Sequence, residues 1–128
     1  MRTSDGSQII FSTGPNFTPA AILTVDLRTK IISTLPGSEG IFSPRRSPDG
    51  RYLAGLSRDS STLLLYDFET QKWSKWLSEP GNISYPTRSK DGRYLYFDNF
   101  MADHLTARRA RLGAKRSEQL YTLEGFQR

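Results

Sequence analysis

The chain has 128 residues, a net charge of +5 at neutral pH, no cysteine and one histidine. This length suits one small domain with its own core, and the lack of cysteine excludes disulfides and thiolate metal sites. Eighteen basic against 13 acidic residues is a mild excess beside dedicated nucleic-acid-binding domains. We therefore expect no metal site and do not expect this segment alone to bind nucleic acid.

Hydrophobic runs near the N-terminus and elsewhere are short. The longest one near the N-terminus is Ile9-Ile10-Phe11, which is too short for a signal peptide. No segment approaches the roughly 20 apolar residues of a membrane helix. These features predict a cytoplasmic protein with no membrane partner.

A tight-turn motif followed by an apolar strand occurs three times. The central copy is Ser-Pro-Asp-Gly at 47–50, with further copies at 3–6 and 89–92. In each copy glycine supplies the positive φ angle that the turn requires, in the pairs Asp5-Gly6, Asp49-Gly50 and Asp91-Gly92. The spacings of 44 and 42 residues predict a repeat architecture and suit four-stranded propeller blades.

Runs of β-forming residues between turn signals divide the chain into units of about 1–43, 44–84 and 85–128. The predicted strands are 8–12, 21–27 and 31–35, then 52–57, 62–68 and 72–77, then 93–98, 105–112 and 118–123. Asp26 and Asp67 end strands before polar turns, which predicts that their side chains cap those turns.

Two segments fit either a strand or a helix. Trp73, Trp76 and Leu77 also fit one helical face, although Pro80-Gly81 leaves room for barely two turns. Residues 102–112 have high helix propensity, and only their place in the repeat argues for a strand. Both interpretations stand for these segments.

The sequence Ser-Pro-Asp-Gly-Arg-Tyr-Leu-Ala at 47–54, followed by Leu-Leu-Tyr-Asp-Phe at 64–68, resembles the TolB-like, WD-like β-propeller repeat. The resemblance covers nearly the whole chain, and residues 41–100 look closest to the propeller region of bacterial, notably acidobacterial, winged-helix transcriptional regulators. It implies an all-β segment of about three four-stranded antiparallel blades in an incomplete ring. It also implies a non-catalytic interaction or sensor module, not an enzyme, with no cofactor. The alternative is a non-catalytic propeller portion of a prolyl-oligopeptidase-like enzyme.

Closed propellers use about 4–8 blades, so three units cannot close a ring. We therefore expect a protein partner, or self-association through open blade faces.

The residue before each turn motif departs from the resembled family, which usually has tryptophan there. The positions hold Arg2, Arg46 and Arg88. Burying an unpaired charge is costly. We expect either that these guanidinium groups reach the solvent of the central channel or that packing between blades is loosened.

One cluster of basic residues is a candidate site. Five of nine positions near the C-terminus are basic: Arg108, Arg109, Arg111, Lys115 and Arg116. They favour a solvated outer hairpin whose charges discourage edge-to-edge strand pairing. The alternative is a phosphate-binding patch, with Tyr121 or Phe126 as a stacking surface. We find no catalytic constellation in the sequence.

Overall fold

The computed structural model describes residues 6–13, 20–101 and 104–124, and within these ranges the chain forms antiparallel sheets without a helix. Each sheet is a meander in which strands adjacent in sequence pair with one another. The first sheet contains β1 (Gln8–Ser12), β2 (Ile22–Asp26) and β3 (Ile32–Thr34). The second contains β4 (Ile41–Arg46), β5 (Tyr52–Ser57), β6 (Thr62–Asp67) and β7 (Lys72–Ser78). The third contains β8 (Asn82–Arg88), β9 (Tyr94–Met101), β10 (His104–Arg111) and β11 (Glu118–Glu124).

The all-β prediction is confirmed: the sheets are those of a partial β-propeller and do not close a ring. The two segments for which a helix was an alternative, residues 72–77 and 102–112, contribute the strands β7 and β10 instead. Cross-strand pairing along both sides of β10 outweighs its local helix propensity.

The second and third sheets begin at Ile41 and Asn82, three residues before the units predicted at 44 and 85. The entering strands β4 and β8 contain Pro44 and Pro86, which resemble loop residues in the sequence. Each proline lies where the strand register shifts, and such a bulge accommodates a residue that cannot donate a ladder hydrogen bond.

The turn motif forms as predicted between the first two strands of the second sheet. Gly50 N–H donates to the Ser47 carbonyl at 2.9 Å, and Gly50 has a φ of 78°. Asp49 accepts hydrogen bonds from the Ser47 hydroxyl at 2.6 Å and from the Arg51 N–H at 3.0 Å. These bonds hold the pKa of Asp49 below its usual range.

Gly92 closes the copy at 89–92 in the same way, with a φ of 76°. The motif recurs between β5 and β6, where Asp59 accepts from Ser57 and Ser61. There Ser60 takes the positive φ, 62°, in place of glycine. Gly6 also has a positive φ, whereas Asp5 and Arg2 lie outside the described residues.

The two other predicted turn formers act as expected. Asp26 accepts from the N–H groups of Arg28 and Thr29, and Asp67 accepts from the N–H of Glu69. Both side chains therefore satisfy backbone donors that the hairpin leaves free.

Hydrophobic side chains form a core on each side of the second sheet. The core against the first sheet contains Ile10, Ile22, Leu35, Ile41, Leu53 and Tyr66. The core against the third sheet contains Ala54, Leu56, Leu63, Trp76, Leu77, Ile83, Leu95, Phe97 and Ala110. β5 supplies both cores, and its four central residues are buried, as predicted for a strand covered on both faces.

Candidate functional site

A polar cleft lies between the end of β7 and the β10–β11 hairpin. It has a volume of about 360 Å³ and is lined by Ser78, Glu79, Arg108, Lys115, Arg116 and Ser117. We call this set the basic cleft. Three of its six residues are cations and one is a carboxylate, so it carries a net positive charge at neutral pH.

Strand alternation places Arg108 in this cleft. Arg108 shares a face of β10 with Thr106 and Ala110, which are 7% and 0% exposed. Its Nε lies 3.7 Å from Oε1 of Glu79, whose side chain is only 8% exposed. Ser117 donates its hydroxyl to Glu79 and accepts a hydrogen bond from Arg108 Nε at 2.5 Å. Glu79 is thus neutralised by Arg108 at the base of the cleft.

Lys115 and Arg116 lie at the exposed side of the cleft. Lys115 Nζ donates to the carbonyl of Lys75 at 3.0 Å, which ties the hairpin to β7. Both side chains belong to exposed residues. Their charges therefore remain accessible to an anionic group that enters from solvent.

The five basic residues of the predicted patch do not lie together. Arg109 is on the opposite face of β10, where its Nε donates to Glu118 at 2.6 Å and its guanidinium lies 4.5 Å from the Tyr94 ring centre. The hydrogen bond from Arg109 lowers the pKa of Glu118. Arg111 lines a different cleft, and Phe126 lies outside the described residues. The period of two along a strand separates residues that are adjacent in the sequence.

That second cleft, of about 220 Å³, lies between the turns at 47–50 and 89–92. Its two carboxylates, Asp49 and Asp91, are held by serine hydroxyls and backbone N–H groups of their own turns. Hydrogen bonds keep the pKa of each aspartate low. The Ser47 hydroxyl contributes most at Asp49, and the Arg93 N–H contributes most at Asp91. These aspartates shape the turns.

Arg46 and Arg88 occupy the positions at which the resembled repeats usually have tryptophan, and each guanidinium lies over an aromatic ring. The Arg46 guanidinium carbon lies 4.0 Å from the Phe68 ring centre, and Arg46 donates to the Gly50 carbonyl at 3.0 and 2.6 Å. The Arg88 guanidinium lies 5.7 Å from the Trp76 ring centre.

Neither alternative expected from the sequence holds at Arg88. All three of its guanidinium nitrogens are shielded from solvent, and burial lowers its pKa to about 10. The packing beside it is closed, since Trp76 is 2% exposed and donates its Nε1–H to the Arg111 carbonyl at 3.1 Å. Trp76 of β7 therefore supplies an aromatic wedge between the sheets.

Sequence reasoning missed Glu79 and Asn99. Asn99 is 4% exposed, and its Nδ2 lies 3.5 Å from Glu79. No local pattern marks either residue, because their association depends on the packing of the third sheet against the second. Among the described residues no group of three or more potential His, Cys, Asp or Glu ligands is placed to hold a metal ion.

Neither a scan of protein-family models nor a search of curated proteins matched the chain. Solved structures do match. The protein assigned as TolB in Agrobacterium tumefaciens superposes with a TM-score of 0.78 at 19% identity, over 97% of this chain and 48% of that one. An oligogalacturonate lyase in complex with manganese superposes with a TM-score of 0.77 at 18% identity, over 98% of this chain and 39% of that one. A structure from a study of two prolyl endopeptidases superposes with a TM-score of 0.71 at 18% identity, over 98% of this chain and 22% of that one.

These likenesses establish the fold, a TolB-like β-propeller in part. The chain spans less than half the length of each of these three proteins. No helix in the described ranges is long and apolar enough to cross a membrane.

Proposed function

We propose that the chain is a non-catalytic β-propeller interaction module that binds an acidic segment of a protein partner in the basic cleft. The observation that carries this proposal is the grouping of Arg108, Lys115 and Arg116 around one cleft. Because Glu79 is already paired with Arg108, the charges of Lys115 and Arg116 are available for a ligand. The Ser78 hydroxyl lines the same space and can donate to a carboxylate while it accepts a hydrogen bond from the Thr62 hydroxyl.

The same geometry favours an acidic peptide over nucleic acid. A nucleic-acid backbone needs a basic track along several phosphates, usually with aromatic side chains on which bases stack. Arg109 and Arg111 face away from the basic cleft, and its six lining residues include no aromatic side chain.

Fluorescence anisotropy with a labelled oligo-aspartate peptide tests the proposal. We expect binding that weakens as salt rises and that Arg116→Glu reduces by about fivefold or more. Arg111→Glu makes the same charge change outside the basic cleft and is the matched control. Equal losses in both variants would show a non-specific charge effect. A labelled single-stranded oligonucleotide that bound more tightly than the peptide would also overturn the proposal.

Two finer proposals concern the parent protein. We propose a larger bacterial transcriptional regulator, supported by the resemblance of residues 41–100 to the propeller region of winged-helix regulators, and a cytoplasmic location. The second candidate is the propeller of a prolyl-oligopeptidase-like enzyme, which the match to a prolyl endopeptidase favours. The genomic reading frame tests both, because a winged-helix domain upstream supports the first and an α/β-hydrolase domain downstream supports the second.

A further inference from the structure

The cleft between the turns at 47–50 and 89–92 is lined by two acidic and two basic residues. We call this space of about 220 Å³ the turn cleft. Its charged residues are Asp49, Asp91, Arg93 and Arg111. All four side chains are charged at neutral pH, so the turn cleft has no net charge. In this respect it differs from the basic cleft.

Apolar side chains line the turn cleft beside these charges. Gly92 lets the two turns approach each other, because a Cβ there would lie only 3.2 Å from the Cδ atom of Pro48. Tyr52 shares a face of β5 with Ala54, which packs against the third sheet. Tyr52, Pro48 and Leu112 all line the turn cleft. The second and third sheets, with their turns, therefore form the turn cleft by themselves.

The repeat shows an exchange of charge beside the turn cleft. Arg111 corresponds to Asp67, since each pairs with the tyrosine that begins the preceding strand of its sheet. Arg51 directly precedes that tyrosine in the second sheet and forms an ion pair with Asp67 at 3.3 Å. Arg93 has the same place in the third sheet, where Arg111 replaces the acid. Two cations thus stand where the second sheet has an internal ion pair.

The ion pair that Arg93 does form is an exposed one. Its Nε lies 3.8 Å from Oδ2 of Asp91, and the two side chains are 75% and 57% exposed. Exposed pairs of this kind contribute little to stability. A carboxylate that enters the turn cleft can therefore compete for Arg93.

Asp49 and Asp91 hold their own turns with one oxygen each. In both residues Oδ1 accepts hydrogen bonds from the serine hydroxyl and from the backbone N–H two residues further on. A carboxylate has two acceptor oxygens. Oδ2 of each aspartate can therefore accept from a ligand ammonium while the turn stays intact.

We infer that the turn cleft binds a free α-amino acid with an apolar side chain. The carboxylate of the ligand pairs with Arg93, and its ammonium donates to Asp49 and Asp91. Its side chain packs against Tyr52 and Leu112. The volume of about 220 Å³ lies below the roughly 300–1,000 Å³ of pockets for drug-sized ligands, which limits the ligand to about this size. This inference is independent of the proposed function, because the turn cleft and the basic cleft share no lining residue.

Isothermal titration calorimetry of the 128-residue chain with L-phenylalanine tests the inference. We expect saturable binding with a Kd of about 1 mM or lower. N-acetyl-L-phenylalanine lacks the ammonium and L-phenylalaninamide lacks the carboxylate, so each should bind about tenfold more weakly or worse. The inference is overturned if neither L-phenylalanine nor L-leucine shows saturable binding. It is also overturned if the acetylated compound binds as tightly as the free amino acid, because the site would then recognise a carboxylate alone.

Two variants locate the binding site. Arg93→Gln should weaken binding of L-phenylalanine by about tenfold, and the fold should survive because this side chain is 75% exposed. Arg58→Gln makes the same change at an exposed position between β5 and β6 and is the matched control. Equal losses in the two variants would contradict the inference. Arg116→Glu alters the basic cleft and should leave amino-acid binding unchanged, so the two proposals can fail separately.

Discussion

Arg46 and Arg88 each precede a turn motif. The same substitution at these two positions should change the free energy of unfolding in opposite directions. Arg46 donates two hydrogen bonds to the Gly50 carbonyl and stacks closely on Phe68. The three buried guanidinium nitrogens of Arg88 have no hydrogen-bond partner among the described residues. We expect Arg88→Met to stabilise the fold and Arg46→Met to destabilise it.

The magnitude follows from the pKa of Arg88. Burial lowers this pKa well below its usual range, to about 10, with Asp49 opposing the shift. At 1.36 kcal/mol per unit, the charged side chain costs about 3 kcal/mol, and stacking on Trp76 offsets about 1 kcal/mol. Methionine keeps an unbranched apolar stem without the charge. Arg88→Met should therefore raise the free energy of unfolding by about 2 kcal/mol, and Arg46→Met should lower it by about 1–2 kcal/mol.

Urea and thermal denaturation measure both effects, and about 2 kcal/mol corresponds to a rise of roughly 8 °C in Tm for a domain of this size. The pH dependence adds a second check. Because the folded-state pKa lies below the unfolded one, the penalty is fully present below about pH 10 and is relieved as pH rises above that value. The difference in the free energy of unfolding between Arg88→Met and the wild type should therefore narrow as pH rises above about 10. If Arg88→Met destabilises the chain as Arg46→Met does, the reasoning is wrong.

Five further substitutions test the turns and the core. Gly50→Ala should lower the free energy of unfolding by about 1 kcal/mol because its φ is 78°, whereas Ser60→Gly at the corresponding turn should raise it by about 0.5 kcal/mol in the same denaturation assay. Gly55→Ala should cost about 1–3 kcal/mol because its Cβ would overlap the side chain of Ile41. Adding Ile41→Ala should cost less than the two single losses combined, and simple additivity in this double-mutant cycle would argue against the overlap. Hydrogen bonds from the Ser57 and Ser61 hydroxyls lower the pKa of Asp59 to about 2, so their stabilisation is present above about pH 4 and lost as pH falls through 2. The denaturation midpoint of Asp59→Asn should fall less steeply over that range; an unchanged slope would contradict this.

Local chemistry determined how well the sequence predicted the fold. Turn formers such as Asp49 and Gly50 act through bonds within a few residues, so their spacing revealed both the turns and the repeat. The entering strands β4 and β8 were predicted only in part. Pro44 and Pro86 resemble loop residues unless the strand bulge that accommodates them is known.

The candidate site was less predictable than the fold. A run of basic residues in sequence suggested one patch, but alternation along β10 sends Arg108 and Arg109 to opposite faces. The carboxylate that neutralises Arg108 comes from Glu79, 29 positions earlier and directly after the last strand of the second sheet. Only the packing of the third sheet on the second brings them together.

The second sheet is covered on both faces, whereas the first and third sheets each pack on one neighbour. In repeat architectures, stability is approximately a sum of unit terms and nearest-neighbour interface terms. The outer sheets can then open at the expense of one interface, whereas opening the middle sheet disrupts both. Amide hydrogens of β5 and β6 should therefore exchange with solvent most slowly, and those of β2 earlier. The middle sheet is therefore the part of the chain that opens least readily, and the two outer sheets depend on it for their own stability.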